Sequence, residues 1–145
     1  MLKISQTGSI EDILELIEYI PEFEPIHNYS DFESRFFDNN FLILIAYWND
    51  DAVGFKVGYD RFHDGSFYSW LGAVLPEFRR KGIAHNLSLE QEEWAVKNGY
   101  KTIKIRTRNK FPKMLQLLIK NGFKIIEFEK KTDLDESRIM LEKQL

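Results

Sequence analysis

Hydrophobic positions along this chain switch between a period near two and a period near 3.6, and each switch marks an element. Leu2–Gln6 reads as a short strand. Ile10, Ile13, Leu14 and Ile17 then fall at i, i+3, i+4 and i+7 behind Ser9. That spacing predicts an amphipathic helix, capped by Ser9 and stopped by Pro21. Ser30-Asp31-Phe32-Glu33 has the form of a capping box and predicts a second helix, with Phe32, Phe36 and Phe37 inward. Phe41–Trp48, Ala52–Phe62 and Ser66–Leu75 are strand-like runs, separated by the turn signals Asn49-Asp50-Asp51 and His63-Asp64-Gly65. Links this short predict an antiparallel meander. Pro76 ends its third strand, because proline donates no ladder hydrogen bond.

Beyond Pro76 helix and strand patterns alternate. Ile83–Asn98 reads as a helix, with Ala84, Leu87, Trp94 and Ala95 on one side and Gly99 just past its end. Lys101–Arg108 reads as a strand, Pro112–Lys120 as a helix ended by Asn121-Gly122, and Phe123–Lys131 and Arg138–Gln144 as two last strands. The order strand–helix–strand predicts a right-handed βαβ unit with a parallel pair. The expected architecture is α/β: a mixed sheet, meander first and βαβ after, with helices on both faces. At 145 residues without a linker-like stretch, one domain over 1–145 is expected.

Composition removes several chemistries. With no cysteine there are no disulfides, thiolate metal sites or Cys nucleophile. His27, His63 and His85 lack metal-ligand spacing, so no metal is expected. Glu11, Asp12, Glu15 and Glu18 interrupt the N-terminal apolar residues, unlike a signal peptide. Phe41–Trp48 is too short to span a bilayer. A soluble cytoplasmic protein without a membrane partner is expected. Charge is unevenly divided: residues 1–64 hold four basic residues against thirteen acids, −9, and residues 65–145 hold sixteen against ten, +6. Lys97–Lys113 carries seven basic residues and no acid, but its apolar residues interleave as on a strand's buried face. The segment is read as a basic rim, and no nucleic-acid partner is expected.

The informative run is Ala73-Val74-Leu75-Pro76-Glu77-Phe78-Arg79-Arg80-Lys81-Gly82-Ile83-Ala84. A strand stops at proline, a basic loop follows, and a helix opens on Gly-x-Ala. The first N–H groups of a helix lack internal partners, and the helix dipole adds positive charge there. Gly82 and Ala84 let an anion approach the backbone, and Arg79, Arg80 and Lys81 add formal charge. Together they predict a pyrophosphate cradle that needs no metal. The chain has neither Gly-x-x-x-x-Gly-Lys-Ser/Thr nor Gly-x-Gly-x-x-Gly, which argues against a P-loop or a Rossmann turn.

Arg79-x-x-Gly82-x-Ala84 after Val74-x-Pro76 resembles the acetyl-CoA pyrophosphate motif, Gln/Arg-x-x-Gly-x-Gly/Ala, of the GNAT superfamily of N-acetyltransferases. Ile103-Lys104-Ile105 followed by Asn109, and the helix ending Asn121-Gly122-Phe123, are similar to later landmarks of that family. The resemblance implies a GNAT-like N-acyltransferase fold and acetyl-CoA as co-substrate. It implies that Ala73, Val74 and Leu75 offer backbone groups to the pantetheine arm, with a backbone N–H near Val74 meeting the thioester carbonyl. It implies that Arg79, Arg80, Lys81, Gly82, Ile83 and Ala84 hold the pyrophosphate and that Asn109 lies near the pantetheine. The implied reaction is direct attack by a primary amine of a small molecule or peptide, and the −9 region suits a cationic acceptor. Many family members carry a tyrosine in the last helix to protonate the leaving thiolate; the matching position here is Leu118 or Gln116. A glutamate that serves as base in some members corresponds to a position near Tyr68; His63 titrates in a suitable range, and Asp60 and Asp64 are alternatives. The missing tyrosine keeps a second reading open, a non-catalytic acyl-CoA-binding module. The resemblance also allows a homodimer.

Overall fold

Seven strands form one mixed sheet in the order β1-β2-β3-β4-β5-β7-β6. They are β1 (Leu2–Ser5), β2 (Phe41–Trp48), β3 (Asp51–Tyr59), β4 (Ser66–Val74), β5 (Thr102–Arg108), β6 (Lys124–Glu129) and β7 (Arg138–Gln144). The helices are α1 (Ile10–Ile17), α2 (Tyr29–Phe36), α3 (Ile83–Lys97) and α4 (Pro112–Lys120). This computed structural model describes residues 1–23 and 27–145. The antiparallel meander β2–β3–β4 and the parallel β4–α3–β5 unit are as the sequence predicts. β7 inserts antiparallel between β5 and β6, so β6 becomes an edge strand exposed along its length.

Two apolar layers hold the sheet. Leu44, Phe67, Val74, Ile83, Leu87, Ile103 and Leu118 pack between the sheet and α3–α4. Ile13, Leu16, Phe32, Phe36, Phe55, Val57 and Tyr68 pack on the α1–α2 side. β4 contributes to both layers, because successive strand side chains point to opposite faces.

The sequence expectations need local correction. Asn28, not Ser30, caps α2: its side chain accepts the Asp31 N–H, and Asp31 accepts the Asn28 N–H. An Asn/Asp pair thus completes the box two residues earlier than the Ser/Glu pair suggests. The backbone leaves the helix at Phe37, which is 78% exposed rather than inward. β3 stops at Tyr59 instead of Phe62, because the 60–65 turn folds on its own carboxylates. Asp60 accepts the His63 N–H, and Asp64 accepts from the Ser66 N–H and hydroxyl.

One irregularity shapes the site. Val57 pairs with Leu71 and Gly58 with Ser69, so Trp70 is an extra residue in β4, a bulge. Bulges bend and twist a strand. β4 pairs with β5 only over Ser66–Ser69, facing Thr102–Ile105. Past the bulge, β4 stays with β3 as far as Val74 while β5 stays with β7 as far as Arg108. The two parallel strands therefore diverge, and a wedge-shaped slot opens from Ser69 and Ile105 outward.

Candidate active site

The chain from β4 to α3 lies at the mouth of this slot. Pro76–Phe78 makes one 3₁₀ turn, and α3 starts at Ile83 with Gly82 as its N-cap. Arg80 and Gly82 both take left-handed backbone, with φ of 64° and 78°. No side chain caps the helix, and the first intrahelical bond of this end is Asn86 N–H to the Gly82 carbonyl. The six amides of Arg80, Lys81, Gly82, Ile83, Ala84 and His85 consequently donate to nothing among the described residues. Alternating left- and right-handed backbone curls such N–H groups into an anion-binding nest, and the helix dipole adds to it. Arg80, Lys81, Gly82 and Ala84 are exposed, while Ile83 anchors the helix in the core. The arrangement fits a diphosphate.

The strand edge facing the slot follows from ladder alternation. Leu75 gives its N–H to the Val53 carbonyl. In an antiparallel pair hydrogen-bonded and non-hydrogen-bonded positions alternate. Ala73 therefore also turns its peptide groups toward β3, and Gly72 and Val74 turn theirs into the slot. Val74 behaves accordingly, since its carbonyl accepts the Arg79 Nε–H at 3.1 Å. Arg79 also meets Glu22 at 2.7 Å, and that hydrogen bond holds the Glu22 carboxyl below its ordinary range. Lys81 lies over the Trp48 ring, 5.6 Å from its centre. Of Ala73, Val74 and Leu75, the three residues read from sequence, Val74 faces the slot; Leu75, just past β4, spends its N–H on β3 and its carbonyl on Phe78.

The remaining sequence-derived residues are spread out. Tyr68 sits one residue before the apex of the slot, buried on the α1–α2 side against Tyr59 and Phe62, with Arg61 over its ring. His63 lies on the turn before β4, at the opposite end of that strand from Val74, with its side chain 62% exposed. Asp64 bonds Lys104 at 2.8 Å; with Ser66 adding a second hydrogen bond, the Lys104 ammonium holds its carboxyl far below the usual range. Asn109 spends its side-chain amide on the Leu134 carbonyl and its N–H on Ser137, tying the end of β5 to the loop before β7. In α4, Leu118 is buried in the core and Gln116 faces outward. Among the described residues no group of three His, Asp or Glu side chains is placed to hold a metal. Among the described residues no helix is long and apolar enough to cross a membrane.

Two residues at the slot were not picked out from sequence. Gly72 is exposed in the diverging part of β4, directly opposite Lys56 of β3. A Cβ on Gly72 would touch the Lys56 chain, at 3.4 Å from Cγ and 3.7 Å from Nζ. The sequence signal was present: Lys56 is the one basic residue of its strand, and Gly54 and Gly58 flank it on the same face.

The sequence matches the model of the family described as Acetyltransferase (GNAT) family over residues 10–123. No curated protein matches the sequence significantly. Solved structures with the same fold include the ribosomal-protein-S18-alanine N-acetyltransferase of Escherichia coli, at TM-score 0.81 and 17% identity, covering 99% of this chain and 94% of that one. A Bacillus subtilis acetyltransferase in complex with CoA superposes at TM-score 0.80 and 21% identity, covering 100% and 99%. A GNAT family acetyltransferase of Elizabethkingia anophelis with acetyl-CoA bound gives 0.76 and 20%, covering 99% and 98%. With the family model matched over most of the chain, and with the slot and amide nest in place, this protein belongs to the GNAT acetyltransferase family.

Proposed function

We propose that this protein is an N-acetyltransferase that moves the acetyl group of acetyl-CoA to a primary amine of a cationic acceptor, by direct attack in a ternary complex. The observation that carries the reading is the row of six amides, Arg80 to His85, without partners among the described residues, at the mouth of the slot between β4 and β5. The amides of Arg80–Ala84 hold the diphosphate, and Arg80 and Lys81 neutralise it. The pantetheine arm, which is peptide-like, lies along β4 as an added strand would, pairing with the slot-facing groups of Gly72 and Val74. A β4 N–H in this stretch polarises the thioester carbonyl as an oxyanion-hole donor. Acetyl-CoA supplies the activated acetyl group; the protein supplies orientation and charge stabilisation.

The acceptor side of the slot is the α1–α2 face, where Tyr68 and Trp70 lie. Asp12, Glu15 and Glu77 line a cleft of about 330 Å³ between α1 and the end of β4, which favours an amine that carries further positive charge. Titration calorimetry with acetyl-CoA, followed by thiol release with a panel of polyamine, lysine-type, neutral and anionic amines, tests the reading. Binding of acetyl-CoA and thiol release with cationic amines are expected. Absence of binding refutes it. Binding without thiol release favours the acyl-CoA-binding module instead, a reading that Leu118 and Gln116 in α4 support.

A further inference from the structure

Lys56 stands in the wrong company for a structural lysine. It lies mid-strand in β3, half-buried on the α3 side of the sheet, between Leu44 of β2 and Gly72 of β4. Its side chain does not turn outward. Both Cγ and Nζ lie within 4 Å of where a Gly72 Cβ would be, so the chain lies over Gly72 of β4, in the stretch where β4 has parted from β5. Among the described residues the ammonium has no hydrogen bond and no ion pair. α3 faces it with Glu92, which is itself paired at 2.8 Å with Lys143 of β7. α3 also brings Gln91, whose buried Nε2 has no partner and lies beside Gly58, two residues along from Lys56. The side chains of Lys104 and Arg106 belong to β5, and Lys104 is held by Asp64. Lys56 and Gln91 are thus two polar groups set into the otherwise apolar α3 side of the sheet, next to the strand that borders the slot.

We propose that Lys56 is the proton donor to the sulfur that leaves acetyl-CoA. This inference rests on the N-acetyltransferase reading and fills the task for which α4 offers only Leu118 and Gln116. In the step, the lone pair of the acceptor nitrogen forms the N–C bond. The C–S bond breaks and its electron pair stays on sulfur. The Lys56 ammonium gives that sulfur a proton, leaving CoA thiol and a neutral lysine. The surplus proton of the acceptor nitrogen leaves to solvent, and water reprotonates Lys56. A Cβ at Gly72 would only reach van der Waals contact with the lysine, so a side chain larger than that of alanine is what would crowd its path. Proton exchange is well matched: burial pulls the Lys56 ammonium down to about 8, against a weaker upward pull from Glu92. An alkyl thiol titrates near about 8.5.

The test reads the thiol directly. CoA is bound to the wild-type protein, to Lys56→Met and to Lys56→Arg, and thiolate formation is followed by ultraviolet absorbance against pH. A cation beside the sulfur should bring thiolate formation in wild type and Lys56→Arg at least about one pH unit below that of free CoA, with Lys56→Met returning it toward the free value. With an amine that supports turnover, kcat at neutral pH should fall about 100-fold in Lys56→Met. The alkaline decline of the wild-type rate, centred near 8, should be absent from Lys56→Arg, whose guanidinium does not titrate there. Wild-type CoA that titrates like free CoA overturns the proposal whether or not the variants fold. Failure of wild type to bind CoA at all overturns the underlying functional reading as well, and the two results are distinct.

Discussion

At the scale of single residues, the site depends on backbone conformations that few side chains tolerate. Gly82 takes φ of 78°, and a Cβ there would meet only Asn86 Nδ2 at 3.8 Å. Space is available, so the cost of substitution is conformational: a β-branched residue in left-handed backbone is strained by about 1–2 kcal/mol. Gly82→Val is expected to relieve that strain by rotating its N–H out of the nest. CoA affinity should fall at least about tenfold, or 1.4 kcal/mol, while the melting temperature drops by only a few degrees. Calorimetry on the folded variant checks this; unchanged affinity would show that the nest does not bind the coenzyme. Asp64 illustrates the pH dependence of the opposite end of β4. Its carboxyl is depressed, so the stability it contributes is present above the unfolded value near about 3.9 and is lost as pH falls through the lower folded value. Denaturant unfolding of wild type and Asp64→Asn should differ by a constant amount from pH 5 to 8, and the gap should begin to shrink below about pH 4 and go on shrinking as the pH is lowered further. Since 42% of the side chain is exposed, the gap should be small.

At the scale of elements, the bulge at Trp70 joins folding to function. The Trp70 ring stands in an aromatic cluster with Phe32 at 5.0 Å, Tyr59 at 5.7 Å and His27 at 5.8 Å. The Arg35 guanidinium lies 4.4 Å above it. Edge-to-face rings and a stacked cation hold the bulge, and the bulge holds the slot open. Trp70→Ala should cost about 2–3 kcal/mol in urea unfolding, toward or below the low end for aromatic truncation because the ring is only half-buried. It should also weaken CoA binding although Trp70 faces away from the nest; a stability loss with unchanged affinity would separate the bulge from the slot. What was legible in the sequence follows the same division. The β4–loop–α3 segment could be read because its strand stop, basic loop and helix start are local signals. The divergence of β4 from β5 could not, since it arises from register against β3 and β7. Gly72 and Lys56 were passed over for that reason: sixteen positions apart in sequence, they become neighbours only through strand pairing. The α2 boundary failed differently, because Asn28 and Ser30 are both good caps and the choice depends on how Phe32 and Phe36 reach the core.

At the scale of the whole molecule, the slot is also an electrical seam. Residues 1–64 build α1, α2 and β1–β3, on one side of β4; residues beyond β4 build β5, β7, β6 and α4 on the other. The elements of the −9 half thus lie on one side of the slot and β5, β7, β6 and α4 of the +6 half on the other, with α3 packed over β1–β4. An anionic coenzyme and a cationic amine would each meet a favourable field on one side of the slot. Such steering acts over a Debye length, about 30 Å in 0.01 M salt and about 3 Å in 1 M. Stopped-flow association of acetyl-CoA should therefore slow about tenfold between those salt concentrations. For a polyamine acceptor, kcat/KM should fall with salt more steeply than for a neutral amine of similar size, because the neutral amine feels only the loss at the coenzyme step. Equal salt slopes for charged and neutral acceptors would mean that the acidic half is merely a solvated surface, and would leave acceptor choice to the shape of the α1–α2 face and the aromatic cluster around Trp70.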